Sequence, residues 1–116
     1  MKIARPLRLL AFVAACTAVL FLALAPASAI PEVGVTDKVE HALAFTVLAM
    51  LGLWAFPGRV GRLAAGLIAF GIMIEILQAT MPFGRDGEVL DVVADTFGVS
   101  LGMTAQLLLL HWARRS

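Results

Sequence analysis

Four long apolar runs occupy most of this 116-residue chain: about residues 9–29, 39–56, 63–81 and 92–112. A helix that crosses a bilayer needs about 20 mostly apolar residues. The first run carries no charge, the third only Glu75, and the fourth only Asp95, near its start. The connections, 30–38, 57–62 and 82–91, each hold Pro, Gly or charge, as turns between spans do. This pattern predicts an all-α transmembrane helical bundle of about four spans and leaves no room for a separate soluble domain.

Composition supports lipid as the solvent. Apolar residues make up 61% of the chain, and the mean hydropathy is +0.96. Soluble domains average about 45–50% apolar, and a small domain has too much surface to hide more. The net charge of +1 and the scattered cations give no nucleic-acid footprint. Cys16 is the single cysteine, so it forms no internal disulfide. Val13-Ala14-Ala15-Cys16 faintly resembles a lipoprotein cleavage box, but the apolar run continues past it.

The expected organisation is an N-terminal span in 1–36, a three-helix core in 37–112 and a basic tail in 113–116. The first span has a second reading. Lys2, Arg5 and Arg8 form a basic n-region, and Ala27-Ser28-Ala29 is a plausible signal-peptidase site. Cleavage there leaves three spans. The apolar stretch is longer than a usual signal core of about 7–15 residues, which favours retention.

Cations concentrate on the cytoplasmic side of membrane proteins. With the N-terminus inside, Lys2, Arg5, Arg8, Arg59, Arg62, Arg114 and Arg115 fall inside, and Lys38 and Arg85 fall outside. Both termini are therefore expected in the cytoplasm. All the acids, Glu32, Asp37, Glu40, Glu75, Asp86, Glu88, Asp91 and Asp95, then lie in the outer half. Insertion does not require that segregation. For Glu32, Asp86 and Glu88 an ordinary polar outer loop is explanation enough.

The remaining polar residues meet in one layer. Glu75 lies roughly 9 Å below the outer end of its span at about 1.5 Å per residue. His41 and Asp95 each lie about one turn into theirs, so alternating span directions bring all three to one depth. Helical spacing adds Asp37 and Lys38 beside His41, Gln78 beside Glu75, and Asp91 beside Asp95. Asp91 also suits the start of the fourth helix, as a cap or as a charge favoured by the dipole. An Asp at a helix centre in a bilayer costs about 2.5–3.5 kcal/mol, so such residues face the bundle interior and mark sites. A packing lock, with Glu75 paired to His41 or Arg85, is the competing reading. Gly98 and Gly102 form a G-x-x-x-G that permits close helix packing. His111 and Trp112 fit an anchor at the inner interface.

These residues resemble the VanZ-like family. The resemblance runs through Asp37-Lys38-Val39-Glu40-His41-Ala42-Leu43-Ala44-Phe45, then Glu75-Ile76-Leu77-Gln78. It continues in Gly84-Arg85-Asp86 and ends with Asp91-Val92-Val93-Ala94-Asp95-Thr96-Phe97-Gly98 and Gly102. It covers about residues 37–102. The family pattern more often has Asn where this chain has Asp95. The resemblance implies a multi-pass protein of the bacterial cytoplasmic membrane, and the family's namesake is associated with low-level resistance to the lipidated glycopeptide teicoplanin. It implies no settled biochemical activity.

The first functional expectation is a ligand site formed by Asp37, Lys38, His41, Glu75, Gln78, Arg85, Asp91 and Asp95, open to the outer leaflet. Its ligand is an amphiphile, an envelope lipid or a lipidated antibiotic, with Lys38, Arg85 and His41 on an anionic head group. The alternative is an intramembrane enzyme in which His41 with Glu75, Asp91 or Asp95 is a general acid–base set or holds a divalent cation. The enzyme reading lacks a nucleophile: the chain has no Tyr, and Thr80, Thr96 and Ser100 sit in no nucleophile motif. A third reading is a structural subunit, homo-oligomeric through the glycine face. No cofactor and no metal are assigned from the sequence.

The charge count generates a test. With single cysteines at Gly34, Gly58 and Ser116 in a Cys16→Ala background, only the Gly34 site should react with an impermeant thiol reagent on intact spheroplasts. Labelling at either of the other two overturns the orientation.

Overall fold

The computed structural model describes residues 3–25, 37–80 and 88–115, with the side chain of Asp37 excepted. Within them the chain forms four helices, α1 Arg5–Leu24, α2 Asp37–Ala55, α3 Val60–Thr80 and α4 Val89–Arg115. Each is long and apolar enough to cross a membrane, and the described residues contain no strand. The small all-α bundle read from the apolar runs is therefore present.

Helix ends depart from the apolar runs where polar residues tolerate helix. The first helix starts at Arg5, before the run, with Pro6 in its first turn, where its missing N–H costs nothing. The fourth continues to Arg115, so most of the basic tail is helical, where cations are favoured by the dipole. Between α2 and α3 the Arg59 N–H bonds to the Phe56 carbonyl, and Gly58 has φ 79°. Pro57 followed by a positive-φ Gly58 is the sequence of a type II turn.

Buried positions recur with helical spacing. They are Phe45, Leu48, Ala49 and Leu53 on α2, Leu67 and Ile74 on α3, and Val99 and Met103 on α4. Opposite faces expose Val39, Leu43 and Val47 on α2, and Val93, Phe97 and Leu101 on α4. Exposed apolar residues of this size suit lipid.

Helices α2 and α4 run parallel in close contact. A Cβ at Gly98 would overlap the Ala42 carbonyl, and one at Gly102 would overlap the Thr46 carbonyl. The two contacts lie four residues apart on both helices, so the register holds through a full turn. The first helix is peripheral and has no buried residue. It packs Phe12, Cys16, Val19 and Ala23 against the core. Arg8 Nη1 donates to the Trp54 carbonyl at 2.5 Å, and Gln78 Nε2 donates to the Ala23 carbonyl at 2.8 Å. These bonds tie the start of α1 to the end of α2, and the end of α1 to the end of α3.

Gly98→Leu and Gly102→Leu should each lower the temperature at which the detergent-solubilised protein aggregates, because the added side chain forces α2 and α4 apart. Gly66, which faces open space on α3, is the control, and Gly66→Leu should behave like the parent. Equal behaviour of all three variants would show that the α2–α4 seam does not hold the bundle together.

Candidate polar site at one end of the bundle

The buried stripe of α4 begins with Asp91 and Asp95 and continues through Gly98, Val99, Gly102 and Met103. The stripe of α3 runs Leu67, Gly71, Ile74, Glu75 and Gln78. The polar residues therefore sit on the core faces of their helices, at the end where α2 begins, α3 ends and α4 begins. Asp91 and Asp95 are each 1% exposed, Glu75 7% and Gln78 4%.

His41 stands at the centre. Its Nδ1 lies 2.8 Å from Asp95 Oδ1 and 4.0 Å from Glu75 Oε1. Its Nε2 lies 3.6 Å from Asp91 Oδ2. Asp91 Oδ1 accepts from Lys38 Nζ at 2.9 Å, and Lys38 also pairs with Glu88. Glu75 Oε2 accepts the backbone N–H of Glu88 at 2.8 Å. Three helices thus contribute to one connected network. Four carboxylates, Glu75, Glu88, Asp91 and Asp95, face one lysine and one histidine among the described residues.

The convergence of His41, Glu75 and Asp95 expected from depth is present: their ligand-competent atoms lie within 4.8 Å of one another. Lys38 and Asp91 join them. Gln78 shares the face of Glu75 but reaches α1 instead, through Ala23. Arg85 lies outside the described residues, and so does the side chain of Asp37. Asp91 sits in the first turn of α4, where a negative charge is favoured by the dipole, and its carboxylate lies between Lys38 on one oxygen and His41 on the other.

Two participants were not legible as site residues. Glu88 reads as a loop acid, yet its N–H holds Glu75 and its carboxylate holds Lys38. No local spacing signals this, because the partners lie on α3 and α2. Gly71 reads as one more small residue in an apolar span. A Cβ there would lie 2.6 Å from Asp95 Oδ2, so the bare backbone makes room for the carboxylate.

The hydroxyls near the cluster turn back on their own helices. Thr46 donates to the Ala42 carbonyl, Thr80 to Ile76, and Thr96 to Val92. None of these three bonds leads to His41, and an activated nucleophile would need such a bond.

Gly71→Ala should displace the Asp95 carboxylate while leaving the bundle intact, since Ala favours helix over Gly by about 0.8–1.0 kcal/mol. The 15N resonances of His41 should shift in this variant and stay in place in Gly66→Ala. An unchanged His41 spectrum in Gly71→Ala would show that the carboxylate does not depend on the missing Cβ.

Comparison with known proteins gives one informative result. Over 72 residues the chain is 39% identical to an uncharacterized membrane protein, YwnJ, of Bacillus subtilis (strain 168). The match takes in 62% of this chain and 49% of the other, so the chain spans about half the length of this curated relative. No protein-family model matches the chain, and no solved structure matches it. The four apolar helices and the membrane-protein homologue together identify an integral, multi-pass membrane protein.

Proposed function

We propose that this is a VanZ-like protein of the bacterial cytoplasmic membrane, with both termini in the cytoplasm. In this reading it binds the head group of an amphiphile, an envelope lipid or a lipidated glycopeptide, at the outer end of α2, α3 and α4. The observation that carries the reading is the convergence of His41, Glu75, Asp91 and Asp95 from three apolar helices. Ionisable groups at membrane depth are costly, and they concentrate where a protein binds or transports something. Lys38 and Glu88 form the rim of the cluster, with side chains 38% and 49% exposed. They are the contacts a head group meets first, while the apolar faces beside them suit an acyl tail. The excess of acid among the described residues favours a head group accompanied by positive charge, its own or that of a bound cation.

An acid–base enzyme remains the second reading, supported by the 2.8 Å contact between His41 and Asp95. It would require a nucleophile that the nearby hydroxyls do not supply.

Substitution separates a ligand site from a packing lock. Asp95→Asn keeps an oxygen that can accept from His41, and the VanZ-like pattern more often has Asn at this place, so it should be mild. Glu75→Gln and His41→Ala should stay abundant in the membrane fraction yet lose the amphiphile that the parent carries through extraction into native lipid discs, read by native mass spectrometry. If all three variants retain the parent's amphiphile, or the parent carries none, the cluster is a polar lock and the binding reading fails.

A further inference from the structure

We propose that His41, Glu75 and Asp95 bind one divalent transition-metal ion of the zinc class. The three side chains offer an imidazole nitrogen and two carboxylate oxygens within 4.8 Å of one another. Around an ion with bonds of about 2.0–2.2 Å, neighbouring ligand atoms stand roughly 3–3.5 Å apart. Binding then needs side-chain torsions that draw Glu75 Oε1 in from 4.0 Å of His41 Nδ1 and bring all three ligand atoms inside their present 4.8 Å spread. The 2.8 Å contact between His41 Nδ1 and Asp95 Oδ1 widens slightly as the ion enters between them.

The independent sign of a ligand is the orientation of Glu75. One of its oxygens is anchored by the Glu88 N–H at 2.8 Å. The other, Oε1, is buried and accepts no hydrogen bond, and it lies 4.0 Å from His41 Nδ1. A buried carboxylate oxygen without a donor is expensive, and a cation at this place satisfies it. The carboxylate is held so that its unbonded oxygen faces the imidazole.

The surroundings have the form of an outer shell. A metal-binding histidine usually directs its second ring nitrogen to a carboxylate. Here Asp91 Oδ2 lies 3.6 Å from His41 Nε2, and Asp91 is itself held by Lys38. One imidazole with two carboxylates suits zinc or its first-row neighbours, while calcium and magnesium prefer oxygen throughout. Three protein ligands leave a fourth position for water or a further ligand. The metal site goes beyond the amphiphile reading and stands without it, because an ion can bind where no amphiphile does.

The test uses the full chain, untagged, in detergent and stripped with chelator. Zinc should be retained after desalting at one ion per chain. The 15N resonances of His41 should shift on zinc addition while those of His111 stay in place. Excess magnesium should not displace the zinc. Glu75→Gln should weaken zinc binding by at least about 10-fold, and Asp91→Asn by about 10–100-fold, the usual effect of losing an outer-shell partner. The proposal is overturned if the parent retains no zinc, if His41 is undisturbed by zinc, or if Glu75→Gln binds zinc like the parent. The His41 spectrum needs no variant, so a misfolded mutant does not block the answer. Amphiphile bound by a chain that takes up no zinc sinks the metal site alone. Zinc bound by a chain that carries no amphiphile sinks the amphiphile reading alone.

Discussion

The burial of carboxylates against His41 is the constraint on which the arrangement of α2, α3 and α4 depends. A chain with 61% apolar residues could satisfy a bilayer with far fewer charges than this one carries. Among the described residues it nonetheless buries Asp91 and Asp95 as completely as Phe45 and Leu48. Charges at such positions are tolerated only with partners. Their partners come from another helix, Lys38 and His41 of α2, and Glu75 is held in turn by the amide of Glu88, just before α4. Fixing these pairs fixes the depth of each helix relative to the others.

Close approach of backbones makes the pairing possible. Gly98 and Gly102 bring α4 onto the carbonyls of Ala42 and Thr46, and Gly71 leaves space for the Asp95 carboxylate. One stripe on α4 holds both the acids and the glycines, so helix contact and the polar network are parts of one interface. The parallel α2–α4 pair forms the centre, α3 closes one side with Glu75, and α1 lies outside against α2 and α3. Two bonds, donated by Arg8 of α1 to the Trp54 carbonyl and by Gln78 of α3 to the Ala23 carbonyl of α1, attach the ends of α1 without bringing it into the cluster.

Much of this was legible in the chain itself, for identifiable reasons. Lipid imposes a length on apolar runs, so the number and extent of the helices follow from hydropathy. The rise of a helix is fixed, so His41, Glu75 and Asp95 could be placed at one depth before any contact was known. The G-x-x-x-G of α4 announced a tight neighbour but did not say which helix it was. Depth alone also could not say that Gln78 turns away to Ala23, because residues one turn apart share a face without sharing a partner.

What the sequence determined by itself was therefore the one-dimensional part: four membrane-length helices, the turn at Pro57-Gly58, and the depth at which charge is buried. Each follows from a local rule, since apolar length, backbone conformation and rise per residue depend only on neighbours along the chain. The tertiary structure alone decided the rest. It set α4 parallel against α2, turned the unbonded oxygen of Glu75 toward His41, recruited Glu88 from a loop, and gave Gly71 its purpose beside Asp95. Those contacts join residues far apart in the chain, and their distances depend on how helices rotate and slide against one another, a freedom that no pattern along a single helix restricts.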